Sequence, residues 1–567
     1  MERRISFFLD GKRCEALEGQ RLLPIALAQG IEIPHLCRHE DLPVMASCRL
    51  CLVETEGRVT TSCTLRVKEG MDVQTQTPRV LALRRRNMAL LFAGHKEHCP
   101  LCARQESCTT KELLESYQVE DAYERPDTGC PMRRVGEVIE MDPDLCMGCG
   151  LCVETCKKMG VDFLTLHGQG AATHAEPVQD TKKNCLACGQ CTSHCPVGAV
   201  REQSAIAQVE AALADPDKIV IAQMAPSIRC SLGEAFGEPP GRDRTGECYT
   251  ALRLLGFDKV FDVTFGADLT TLVEAQELVE RIKAGGPFPL FTSCCPAWVR
   301  CAEFYYPKWL PHLTSARSPH LLSGAAYKTW WAQKEGRDPK RLVVVSLMPC
   351  TSKKEEIQLE KFRIDDWQPV DHVLTTREFV RMLRAHKIDF LSLEKGQGDL
   401  LSSSSGAGAI YGASGGVMES ALRTAVHLLD GTQMERLTFE EVRGARGIKT
   451  AEVHIAGMTL RVAVCATKAN VDVLLQELEK NPQAYQYVEV MACPGGCVGG
   501  GGQPIPTTER IVAKRMAGLY GIDDRSTIRR AHENPLAAEF MEYVRTLSLE
   551  RQHQLLHTSD TRTSSAS

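Results

Sequence analysis

The sequence predicts a multidomain protein of mixed class: α+β units first, then a larger α/β unit with mainly parallel sheets. Three observations predict it. Cysteines gather in tight, spaced sets within about the first 200 residues, each set fitting a small unit. Beyond about residue 206, short β-branched apolar runs alternate with helical stretches, the pattern of buried strands in a largely parallel sheet. The length, 567 residues, exceeds one ordinary domain.

Composition narrows the function classes. Net charge is −5, so no nucleic-acid partner is expected, and Arg84-Arg85-Arg86 reads as a solvated helix face. No apolar run approaches the roughly 18 residues of a membrane span. The opening "MERRISFFLDGKRC" has too short an apolar core for a secretory signal. A cytoplasmic protein away from membranes is expected. In a reducing compartment, 26 cysteines in close sets read as metal or redox sites rather than disulfides.

Residues 1–79 open with "RISFFLD" and "KRCEAL" around Asp10-Gly11, a favoured hairpin turn. "RLLPIALAQGI" follows as a short helix ending near Gly30. Cys37, Cys48, Cys51 and Cys63 come next. The Cys-x-x-Cys pair alone is weak zinc evidence; four cysteines in a small β-rich unit resemble a plant-type [2Fe–2S] ferredoxin, though the spacing differs. That spacing is similar to the N-terminal domain of the large iron–sulfur subunit of respiratory complex I. Residues 80–134 carry His95, Cys99, Cys102 and Cys108. Spacing alone fits a Cys₃His zinc site equally well. Directly after the first domain, the order resembles the His-ligated [4Fe–4S] cluster of complex I and of one hydrogenase class. That resemblance makes His95 the ligand rather than His98.

Residues 135–205 hold "CMGCGLCVETC" and "CLACGQCTSHCP", the two-cluster ferredoxin repeat, in which the fourth cysteine of each run ligates the other cluster. Cys146, Cys149, Cys152 and Cys195 then form one [4Fe–4S] set, and Cys185, Cys188, Cys191 and Cys156 the second. Lys157 stands where a proline usually follows the first run. Four clusters in series read as a wire for single electrons.

In residues 206–505, "KIVIAQMAPS", "KVFDVTFGAD", "PFPLFTSCCP" and "RLVVVSLMPC" read as strands followed by loops, where α/β sites form. No phosphate-binding glycine motif is present in the required context. "TSCCPAW", "LMPCTSKKEE" and "VMACPGGCVGGGGQP", in this order, resemble the three signature motifs of [FeFe]-hydrogenases. With the cysteine sets, the resemblance spans residues 1–510. It implies a β-grasp ferredoxin-like [2Fe–2S] domain, a two-[4Fe–4S] ferredoxin-like domain and an H-cluster domain.

The implied H-cluster is a [4Fe–4S] cube joined through one cysteine to a diiron unit bearing CO, cyanide and a bridging dithiolate amine. By position, Cys295, Cys350, Cys493 and Cys497 hold the cube, and Cys497 bridges to the diiron unit. Lys353, Pro226 and Ser227 would meet cyanide, and Met348 and Met491 would pack the pocket. Cys294 would pass protons to the amine, supplied through Glu277, Thr314, Glu274 and Arg281. Taken alone, Glu274, Glu277 and Arg281 form one helix face that reads as a solvated ion-pair surface. Thr314 replaces the usual serine, His320 the usual glutamine near the diiron unit, and Ala297 the usual glycine. His320 is expected to conserve a hydrogen-bond donor, and Glu356 to act as a supporting acid.

Residues 506–567 resemble the family's small-subunit helical element, wrapping the catalytic domain before a disordered "TRTSSAS" tail. Cys14, Cys130, Cys230, Cys248, Cys301 and Cys465 are left as buried free thiols. The resemblance implies the reaction H2 ⇌ 2H⁺ + 2e⁻, one [2Fe–2S] and three accessory [4Fe–4S] clusters, ferredoxin as electron partner, and maturation proteins that deliver the diiron unit. Partnership with NAD-linked subunits that bring their own flavin is the alternative. A complex-I-like electron-transfer subunit would lack the three motifs, and a sensor would alter Cys294 and add a signalling domain.

Overall fold

Asp10 and Gly11, with φ of 49° and 78°, close the first hairpin as their residue types predict. The computed structural model describes residues 3–93, 108–120, 123, 131–434, 437–444, 447–455 and 457–558. Strands β1 (Arg4–Leu9), β2 (Lys12–Leu17), β3 (Leu52–Thr55), β4 (Arg58–Thr61) and β5 (Asp72–Gln74) form a sheet of order β2-β1-β5-β3-β4. Alternation in β1 buries Ile5, Phe7 and Leu9 against the helix Leu22–Ala28. The helix Pro78–Leu91 starts at Thr77, whose side chain accepts from Val80 N. The expectation for the arginine run fails at its first member. Arg84 is fully buried and donates to Leu52 O (2.6 Å) and Tyr117 Oη (3.1 Å). A guanidinium's fixed fork can satisfy a loop carbonyl inside the fold, which a charge count does not reveal.

The next unit pairs β6 (Arg133–Val135), β7 (Ile139–Met141) and β10 (Val200–Glu202), with the hairpin β8 (Leu164–His167) and β9 (His174–Pro177) alongside. Its helices Leu151–Lys158 and Gln190–His194 each begin after a left-handed glycine, Gly150 (φ 78°) and Gly189 (φ 69°). A Cβ at Gly189 would collide with Thr351, so the ferredoxin-like unit sits directly on the loop after Cys350.

The large unit has two sheets rather than one. β11 (Ile219–Met224), β12 (Lys259–Asp262), β14 (Leu342–Met348) and β15 (His372–Thr375) pair in parallel, in order β12-β11-β14-β15. β13 (Leu290–Phe291), β16 (Ile448–Ile455), β17 (Met458–Ala466) and β18 (Tyr487–Met491) pair in order β13-β18-β17-β16, antiparallel only between β16 and β17. "KVFDVTFGAD" is a strand only to Asp262. The Asp262 side chain accepts from Thr264 N and caps the helix Val263–Ala284, leaving no loop between them.

The C-terminal helices Glu509–Arg525, Pro535–Arg545 and Leu549–Leu556 pack onto this unit. Phe540, Val544, Leu555 and Leu556 share its main core. A buried ion cluster fixes them: Arg423 donates to Asp523 (2.8 and 2.9 Å) and Glu419 (2.7 Å). Among the described residues no helix is long and apolar enough to cross a membrane. Cys14, Cys230, Cys248, Cys301 and Cys465 are buried free thiols. Cys130, His95, Cys99, Cys102 and the "TRTSSAS" tail lie outside the described residues.

Candidate metal centre

The cysteine sets converge in space. Cys48 N donates to Cys37 Sγ at 3.3 Å. Cys37 and Cys48 are paired by a hydrogen bond that lowers the first thiol and raises the second, and Cys51 and Cys63 are paired in the same way. The two ferredoxin runs lie close together, each within reach of the other. Burial, then the neighbouring Cys149, Cys195 and Cys146, push the Cys152 thiol well up. Burial, then Cys185, Cys188 and Cys156, do the same to Cys191. The first-domain cysteines Cys37 and Cys48 share a hydrophobic core with Cys149, Cys152 and Cys195. Cys108, of the His95 set, caps the helix Thr109–Ser116 through its sulfur.

The loops after β11, β13, β14 and β18 surround a cavity with about 780 Å³ of empty space. Cys294, Cys295, Cys350, Cys493 and Cys497 line it, with Pro226, Ser227, His320, Met348, Lys353 and Met491. Cys188 is on the same wall, so the second ferredoxin set borders the cavity directly. Burial, then Cys188, Cys350, Cys295 and Cys497, push the Cys493 thiol well up. Four such thiols become thiolates together only where a metal supplies compensating charge. Among the described residues no group of three or more His, Cys, Asp or Glu is placed to hold a single ion, since these thiols surround a space instead. A glycine shapes that space. Gly496 has φ 86° and ψ −154°, and a Cβ there would lie 2.7 Å from Ser414 N.

The polar groups on the wall are few. The Ser227 hydroxyl is buried with no hydrogen-bond partner. Lys353 Nζ donates to Glu356 Oε2 (2.7 Å) and Cys294 O (3.2 Å), leaving one of its three donors. His320 Nε2 lies 2.6 Å from Glu356 Oε2, and Nδ1 lies 3.2 Å from Ser346 Oγ. Burial brings His320 down to about 4, so its neutral ring donates to the carboxylate. Against burial, the Lys353 charge and the His320 bond hold Glu356 at about 2. Glu356 is therefore a counter-ion for Lys353, not the supporting acid expected.

Cys294 and Cys295 part as neighbours at a strand end do: Cys295 precedes the helix Pro296–Tyr305, with Ala492 N donating to its sulfur at 3.5 Å. The Cys294 thiol is pushed well up by burial and then by Glu274, so Glu274 rather than Glu277 is the carboxyl next to it, the reverse of the order expected. Glu274 is fully buried; Tyr487 Oη donates to its Oε1, and its Oε2 has no partner. Burial raises it to about 8. Glu277 is held below its usual range against burial by the nearby His557 and by bonds from Ser315 and Thr314. The face is thus not a solvated one. Arg281 does not bond Glu277; it donates to Pro287 O and Pro311 O, both at 3.1 Å.

Several site residues were not foreseen. Glu489, buried in β18, accepts from Gly415 N (2.7 Å) and Met418 N (2.8 Å), and burial raises it to about 7. A lone glutamate inside an apolar strand was the available signal. Ser315 and His557 had none, because they meet across 242 positions of chain.

Four family models match the chain. Residues 218–501 match the C-terminal domain of the iron-only hydrogenase large subunit, and 509–559 the iron hydrogenase small subunit. Residues 2–78 match a 2Fe–2S iron–sulfur cluster binding domain, and 145–199 a 4Fe–4S dicluster domain. The chain is 38% identical to the HndD subunit of the NADP-reducing hydrogenase of Solidesulfovibrio fructosivorans, covering 98% of each. It is 38% identical to iron hydrogenase 1 of Clostridium pasteurianum, over 97% of this chain and 99% of that one. A solved apo [FeFe]-hydrogenase of Chlamydomonas reinhardtii is 38% identical, covering 63% of this chain and 98% of its own, with a TM-score of 0.56.

Proposed function

The chain belongs to the iron-only hydrogenase family, and from that premise we propose how its residues divide the work of H2 ⇌ 2H⁺ + 2e⁻. It is an oxidoreductase acting on H2, carrying iron–sulfur clusters and an H-cluster domain. The observation that carries the division is the single cavity on which Cys188, Cys294, Cys295, Cys350, Lys353, Cys493 and Cys497 all open.

The residues present fit the H-cluster. The thiols lining the cavity suit a sulfur-ligated cube, while the orphaned Ser227 hydroxyl and the spare Lys353 donor suit anionic cyanide acceptors. When bound, the H-cluster supplies the metal at which protons and electrons combine. Cys295, Cys350, Cys493 and Cys497 would hold the cube; Ser227, Pro226, Lys353, Met348 and Met491 would hold the diiron unit and exclude water. His320 keeps Glu356 in place and thereby orients Lys353. Cys294 donates and accepts protons at the diiron end, replenished through Glu274, Thr314 and Glu277. A carboxyl near 8 exchanges protons readily around neutrality.

Cys37, Cys48, Cys51 and Cys63 would hold a [2Fe–2S] cluster and the other accessory cysteines three [4Fe–4S] clusters, which would supply a single-electron path reaching the cavity at Cys188. Ferredoxin is the electron partner this arrangement serves, and maturation proteins install the diiron unit. The likeness to HndD, a subunit of an NADP-reducing hydrogenase, favours a second arrangement in which partner subunits feed the same wire.

Infrared spectroscopy of matured protein with a viologen-coupled H2 assay tests this. Metal-bound CO and cyanide bands should accompany turnover; their absence from matured protein would sink the cavity assignment. Cys294→Ser should keep the bands and lose turnover.

A further inference from the structure

The relay must reach solvent, and the expected outer member, Arg281, points its guanidinium at two backbone carbonyls. Glu277 is engaged from another direction. Ser315 N donates to both its oxygens (3.0 and 3.2 Å), and Ser315 Oγ donates to Oε1. Ser315 Oγ has one hydrogen, and Glu277 receives it. His557 Nδ1, 2.7 Å from the same Oγ and 3.6 Å from Glu277 Oε1, is then the donor to Ser315. The line runs His557 Nδ1–H to Ser315 Oγ–H to Glu277, with every donor paired to an acceptor. The His557 side chain is 27% exposed and that of Glu277 18%, so the outer end meets water.

The chain builds this contact deliberately. His557 follows the last C-terminal helix, Leu549–Leu556, and forms an antiparallel bridge with Ala316. Arg317 N donates to Leu556 O (2.9 Å), Thr558 N to Ser315 O (2.8 Å), and Arg317 Nε to His557 O (3.0 Å). Backbone bonds therefore position the imidazole, and its side chain can be changed without undocking the segment.

We propose that His557 is the solvent-side proton carrier of the relay, contributed by the small-subunit-like segment. The proposal rests on the relay reading of Cys294, Glu274, Thr314 and Glu277. Water protonates Nε2. The Nδ1 proton moves to Ser315 Oγ as the Ser315 hydroxyl proton moves to the Glu277 carboxylate. The products are a neutral imidazole, a neutral serine and a protonated Glu277, and charge balances. A half-turn of the ring presents the protonated nitrogen to Ser315 again. Histidine suits the task because one ring nitrogen can donate a proton while the other accepts one. The groups facing it are Glu277 from the helix Val263–Ala284, Arg317 through the His557 carbonyl, and His553, whose ring stacks 5.2 Å away.

The test compares matured His557→Ala, His553→Ala and Cys294→Ser proteins. Readouts are H2 turnover from pH 5.5 to 9, turnover with added imidazole, the infrared carboxyl band of Glu277, and the thermal midpoint. His557→Ala should lower turnover at least about tenfold and distort its pH profile, with imidazole restoring much of it. Its Glu277 band should titrate at higher pH, and its thermal midpoint should stay put. His553→Ala should behave as the parent. An unchanged rate and pH profile in His557→Ala, or a loss that imidazole does not restore, overturns the proposal. If Cys294→Ser instead retains turnover, the inner relay reading has failed, not only the role of His557.

Discussion

Replacing Glu274 by Gln separates a proton-carrying role from a structural one, because the two predict opposite stability effects. Glu274 is fully buried, Oε1 accepts from Tyr487 Oη, and Oε2 has no partner. A glutamine keeps the Tyr487 bond and leaves one polar atom unpaired, as now. Burial raises the carboxyl from 4.5 to about 8. A group whose folded pKa is raised contributes fully below its unfolded value, and that contribution is lost as pH rises toward the folded one. The interval between those values, at about 1.36 kcal/mol per pH unit, makes the cost about 5 kcal/mol by pH 8. Glutamine has no such cost. Urea unfolding of cluster-loaded protein at pH 5 to 8.5 should show the variant gaining on the parent as pH rises, by several kcal/mol at the top. Turnover should fall about 10²- to 10⁴-fold in the same variant. Parallel stability curves, or turnover close to the parent, would refute the reasoning.

Three further outcomes follow from the geometry. Gly496→Ala should lower the thermal midpoint and the iron content, since its φ and ψ exclude a side chain at a cost of about 1–3 kcal/mol before the Ser414 contact is counted. Cys350→Ala should bind less iron at the cavity while the accessory clusters, counted by electron paramagnetic resonance, remain. Asp523→Ala leaves Arg423 buried without its main partner, so about 3–5 kcal/mol should be lost and limited proteolysis should release the helix Glu509–Arg525.

What could be read from the sequence is what metals impose on it. A cluster constrains ligand spacing, so the cysteines from Cys146 to Cys195 marked a 4Fe–4S dicluster domain before any fold was known. The buried runs around β11 and β14 were legible because both faces of a parallel sheet are apolar. Less was legible where long-range pairing decides. The strand after "PFP" is only Leu290–Phe291, held by β18 in a second sheet. Asp262 turned a predicted strand into a helix start through one side-chain bond. Arg84 became interior through a carbonyl 32 positions away. Arg281 stands on the predicted helix face, yet its guanidinium answers to Pro287 and Pro311, from chain beyond that helix.

The shared core of Cys37, Cys48, Cys149, Cys152 and Cys195 ties the chain to iron supply. Those sulfurs are walls of the hydrophobic interior and, on the proposed assignment, ligands as well, so cluster binding and folding would draw on the same free energy. A chain synthesised during iron shortage would have weakened interiors in two units at once. Cellular proteases act on such openings. The steady-state abundance of this enzyme would then track cluster assembly without any dedicated regulator.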